Sequence, residues 1–84
     1  DPVGDLSKIT GLTERKVQMI VGNRTAFAGY PYTYDRALEK FVSAVGKENY
    51  NRLMEGEAVA LQDAKGNEYI VQIDSKAPAD RNAL

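Results

Sequence analysis

The sequence predicts a small, mainly α-helical (α+β) domain of three to four helices closed by a C-terminal β-hairpin. Three observations carry that reading. Leu38, Phe41, Val42 and Val45 recur at i, i+3, i+4 and i+7, the rhythm of one apolar helix face. Near the start, a glycine turn followed by a hydroxyl residue joins two short apolar-periodic segments. After Glu57 the apolar period changes to two, as strands require.

In chain order, Gly4 or Asp5 can cap a short first helix through Ile9, with Leu6 and Ile9 facing inward together. Thr10-Gly11-Leu12 reverses the chain, with glycine where a left-handed backbone costs least. Thr13 caps the next helix, and Glu14 in its first turn suits the positive end of the dipole. Val17, Ile20 and Val21 give that helix an apolar face, leaving Glu14, Arg15 and Gln18 to point elsewhere. Gly22-Asn23 ends it, and Arg24 to Tyr32 reads as a loop punctuated by Gly29 and Pro31.

A third helix begins at Thr33 or Tyr34 and supplies the bulk of the core until Gly46 breaks or bends it. Tyr50, Leu53 and Met54 mark a short fourth helix ending near Gly56. From residue 57 to 74, Val59 and Leu61, then Tyr69, Val71 and Ile73, alternate around Asp63-Ala64-Lys65-Gly66, a type I turn with glycine at its left-handed position. A lone hairpin is marginal in water, so it must pack on the helices, extend a sheet or pair with a second copy. Residues 1–74 form a single expected domain, and 75–84 read as a flexible tail.

Composition narrows the function. Hydrophobic content of 43% with 27% charge is that of a globular chain, with no apolar run long enough for a membrane span. A soluble, cytoplasmic protein is the expectation. The absence of cysteine removes disulfides and thiolate metal sites; the absence of histidine removes the commonest general base and metal ligand. Neither a metal, a cofactor nor an enzymatic activity is expected. The formal charge of -1 lacks the basic excess usual for a free-standing nucleic-acid binder, yet Lys8, Arg15, Lys16 and Arg24 outnumber the acids of the first 24 residues. The opening Asp1-Pro2, without Met or a secretion signal, reads as an excised or processed piece of something longer.

The order Asp5-Leu6-Ser7-Lys8-Ile9-Thr10-Gly11-Leu12-Thr13, then Lys16-Val17-Gln18, resembles the amino-terminal helix-turn-helix of the lactose-repressor-type bacterial regulators. Ser7 and Gly11 let the helices approach, while Leu12, Val17 and Ile20 fix how they cross. The resemblance covers about the first 46 residues, with Tyr34 to Gly46 as the family's third helix; nothing matches its hinge helix or sugar-binding domain. Met19 stands where the family often has a cationic or polar residue facing DNA, and Glu14 brings a carboxylate near phosphate. The resemblance implies double-stranded DNA as partner, with Arg15 and Gln18 reading base edges, Lys8, Lys16 and Arg24 meeting phosphates, and Thr13 adding a hydroxyl contact. A transcription regulator or a DNA-associated assembly component of phage or bacterial origin, acting as a dimer, is the function so implied.

Two other readings stand beside it. Phe27, Tyr30 and Tyr32 belong to an aromatic cluster ending at Tyr34 that, with the hairpin edge, suits contact with a protein partner or a larger assembly, although such a cluster more often caps the core. A small histidine-free nuclease or toxin-like domain is the weaker alternative, since no spacing demands catalysis. Asp35 and Glu39 lie one helical turn apart but are interleaved with Arg36 and Lys40, so they read as solvated helix charge. Asn23-Arg24-Thr25 fits a glycosylation sequon with no secretion signal to go with it.

Overall fold

The computed structural model describes residues 1–22 and 31–73. Among these described residues four helices, α1 (Pro2–Thr10), α2 (Glu14–Val21), α3 (Pro31–Val45) and α4 (Lys47–Met54), precede an antiparallel hairpin of β1 (Val59–Gln62) and β2 (Glu68–Val71). The mainly helical fold with a C-terminal hairpin is thus the one the periodicities predict.

Two helix starts differ from expectation, and proline explains both. Helix α1 begins at Pro2, with Asp1 as its N-cap, rather than at Gly4 or Asp5. Helix α3 begins at Pro31 rather than at Thr33 or Tyr34. Proline's fixed φ suits the first helical turn, and its missing N–H would have no partner there. Tyr32 therefore belongs to the first turn of α3 and not to a loop. Thr10, read as part of the turn, is the last residue of α1 and is buried.

The helix ends are closed by local chemistry. Gly46, at φ 94°, separates α3 from α4, and the Asn49 amide donates to the freed Val45 carbonyl at 3.0 Å. Past α4, the Glu57 N–H reaches the Arg52 carbonyl and the Gly56 N–H the Leu53 carbonyl, both at 3.0 Å, a Schellman closure with Gly56 left-handed.

One apolar cluster holds the elements together. Leu6, Val17, Ile20, Phe41 and Leu53 are fully buried, and the Phe41 and Tyr50 rings stand in a T-shaped pair with centroids 5.9 Å apart. Burying a side chain of this size contributes roughly 1.5–3 kcal/mol. Helix α3 is the central beam: α1, α2 and α4 all pack on it. Of the three options open to the hairpin, packing on the helices is present, with β2 against α1 and β1 against α4.

Register places Val59 opposite Val71 and Leu61 opposite Tyr69 on the inward face, with Ala60 opposite Ile70 outside. The hairpin turn is the expected one, with the Gly66 N–H donating to the Asp63 carbonyl at 3.0 Å and Gly66 at φ 88°. The Asp63 carboxylate organises this turn. It accepts from the Lys65 and Asn67 N–H groups at 2.9 Å, the Asn67 amide at 3.0 Å and the Tyr69 hydroxyl at 2.8 Å. The Asn67 side chain above all lowers the Asp63 pKa to about 2; desolvation, the next largest influence, opposes it, and Tyr69 and the two N–H groups add to the lowering. The Tyr69 pKa is raised first because its hydroxyl donates a hydrogen bond to Asp63 that would be lost with its proton, and then by desolvation and by the charge of that carboxylate.

Candidate nucleic-acid interface

The turn between α1 and α2 is built by four residues acting on one another. Gly11 is left-handed, at φ 80°, and its N–H closes α1 on the Ser7 carbonyl at 2.9 Å. The Thr10 hydroxyl donates to the Leu6 carbonyl at 2.7 Å and accepts from the Leu12 N–H at 3.1 Å. The Ser7 hydroxyl donates to the Leu12 carbonyl at 2.6 Å. Ser7 is thus a polar tie across the turn as well as a small residue. Thr13 caps α2 as predicted, accepting from the Lys16 N–H at 3.2 Å. These bonds satisfy groups that a helix end otherwise leaves to water, so the entry to α2 is fixed locally.

Helix α2 buries Val17, Met19, Ile20 and Val21 and exposes Glu14, Arg15, Lys16 and Gln18. The burial of Met19, only 2% exposed, corrects its placement on an outward face. Helix α2 is packed by α1 on one flank and α3 on the other, so its buried arc is wider than a single stripe. Glu14 is also placed differently. Its Oε2 would lie 3.6 Å from a Cβ added to Gly4, so this carboxylate sits beside the start of α1. At 100° per residue, Glu14, Gln18 and Arg15 share one arc of about 100°, whereas Lys16 lies about a further 100° round, beyond the buried Met19.

Among the other predicted contacts, Lys8 is exposed in the last turn of α1, where its charge suits the dipole. Arg24, Phe27 and Tyr30 lie outside the described residues, as do the Asn23 sequon and the 75–84 tail. Tyr32 is 75% exposed.

Between the Thr10–Thr13 turn and the outer side of α3 runs an open groove of about 1030 Å³, to which Lys16, Arg36, Lys40, Asp35 and Glu39 contribute charge. Lys40 reaches across it: its Cε and Nζ would lie 3.8 Å from a Cβ on Gly11. Sequence reasoning treated Arg36 and Lys40 only as solvated helix charge. The i, i+4 spacing of these two cations was the available signal, but the turn they meet lies far away in the chain. Among the described residues, no group of three or more potential metal ligands stands together, and no helix is long and apolar enough to cross a membrane. No protein-family model, curated protein or solved structure matches the chain.

Proposed function

We propose that this chain is a helix-turn-helix DNA-binding module, a regulator or DNA-associated assembly component that reads the major groove with α2. One observation carries the reading: Arg15 and Gln18, at i and i+3, are both exposed on a helix whose Val17, Met19, Ile20 and Val21 are anchored in the core. A rigid helix offering a guanidinium and an amide side by side is suited to bidentate contacts with purine edges. Lys16, exposed about 100° further round the helix than Arg15, suits a phosphate. A helix of eight residues reads few base pairs, so a symmetric dimer or a larger assembly supplies the selectivity.

The test is selection of a preferred duplex from a random pool, followed by fluorescence anisotropy. The double variant Arg15→Ala/Gln18→Ala should lose roughly 10- to 100-fold in affinity for the selected site, each bidentate contact being worth about 1–3 kcal/mol, with an unchanged circular dichroism spectrum. Failure of the wild-type chain to bind any duplex at low ionic strength overturns the reading. The near-neutral charge and the exposure of Tyr32 favour, as a second reading, a protein-interaction module. Loss of self- or partner association in Tyr32→Ala, with duplex binding absent, would select it.

A further inference from the structure

We propose that the groove between the α1–α2 turn and α3 seats the phosphodiester backbone of the bound duplex, making α3 a nucleic-acid contact as well as a brace. The inference rests on the DNA-binding reading and adds where one strand lies. Two separate elements bring cations to one place, Lys16 from α2 and Arg36 and Lys40 from α3. None of the three forms an ion pair among the described residues. Lys40 is drawn over Gly11 at the C-terminal end of α1, so its ammonium stands above the turn that leads into α2.

The acids of the groove are arranged to one side. On a helix with 100° per residue, Arg36 and Thr33 lie within about 40° of Lys40, whereas Glu39 and Asp35 stand about 100° and 140° away. Positive charge therefore faces the turn, and the carboxylates flank the outer side of α3. The hydroxyls of Thr13, Thr33 and Ser43 line the same space, and hydroxyl groups commonly bond phosphate oxygens. A small-molecule site would be enclosed and mostly apolar. An open channel with long cationic side chains on both walls matches a continuous polyanion instead.

The position relative to α2 gives the groove its role. Around that helix, Glu14 lies toward α1 and Lys16 toward α3, with Gln18 and Arg15 next to Glu14 and the buried Met19 separating Arg15 from Lys16. A recognition helix in the major groove has a backbone strand on either side. The cationic groove receives the strand on the α3 side, and the carboxylate of Glu14 leaves the α1 side less favourable.

Salt titration of duplex binding tests this, comparing the wild-type chain with Arg36→Ala/Lys40→Ala, with each single variant Arg36→Ala and Lys40→Ala, and with Lys65→Ala in the hairpin turn as the control for loss of one charge elsewhere. Both groove residues are exposed on a helix that tolerates alanine, so the fold survives. The groove variant should reduce the slope of log K against log salt by about 2 and weaken binding about 60-fold at 0.1 M salt, equally for all sequences. Lys65→Ala should leave the slope within its error. An unchanged slope in the groove variant of a wild type that does bind overturns the groove while leaving the DNA reading intact. Conversely, a reduced slope together with full sequence preference in Arg15→Ala/Gln18→Ala keeps the groove and removes α2 as the reader. Absence of wild-type binding at low salt overturns both.

Discussion

Replacing Gly11 by alanine isolates the backbone strain held in the turn on which the proposed interface depends. Gly11 has φ 80° and ψ 4°, in the left-handed region. An L side chain there costs roughly 1–2 kcal/mol. The site is roomy, since the added Cβ would make ordinary van der Waals contact, at 3.8 Å, with the far end of Lys40. Steric overlap therefore contributes almost nothing. Alanine also restricts the unfolded chain, which offsets roughly 0.4–1 kcal/mol of the strain. A net loss of about 1 kcal/mol remains. With a urea dependence of about 1 kcal/mol per M, the unfolding midpoint followed by circular dichroism should fall by about 1 M. Gly11→Asn should lose less, because asparagine tolerates this conformation. A chain synthesised with D-alanine at position 11 should be at least as stable as the wild type. Wild-type stability in Gly11→Ala would refute a left-handed turn in solution, and a loss beyond about 3 kcal/mol would refute the open space around Gly11.

Two further outcomes follow from the packing and the hairpin. Met19→Arg restores a cation where the lactose-repressor-type pattern often has one, but at a buried position. It should cost about 3 kcal/mol or more through an uncompensated buried charge. Unchanged denaturant stability with tighter duplex binding would show that residue 19 faces the ligand. For Asp63 the folded pKa is depressed from 3.8 to about 2, so its contribution to hairpin stability is complete above the unfolded value and is lost as pH falls toward the folded one. The Asp63 carboxyl signal in a carbon-detected NMR titration should have its midpoint near that lower value and move upward in Tyr69→Phe, and a midpoint close to 3.8 in the wild type would contradict the network.

Much of the fold was legible because its determinants are short-range. The left-handed turn at Gly11, the Thr13 cap, the α3 apolar face and the glycine of the hairpin turn each act within about four residues. The exposure of Glu14, Arg15 and Gln18 also followed from local spacing, given Val17, Ile20 and Val21 on the opposite face. The starts of α1 and α3 were misplaced because a proline in the first helical turn reads equally well as a loop signal.

The sequence by itself determined the order of elements, the turn chemistry and the polar stripe of α2. Only tertiary packing decided that Met19 goes inside, that Glu14 lies beside Gly4, that the hairpin rests on α1 and α4, and that Lys40 reaches Gly11. The physical reason is range. Backbone conformation and capping are set by neighbours along the chain, whereas burial and the meeting of cations from α2 and α3 depend on which elements share the core, and no local pattern encodes that partner.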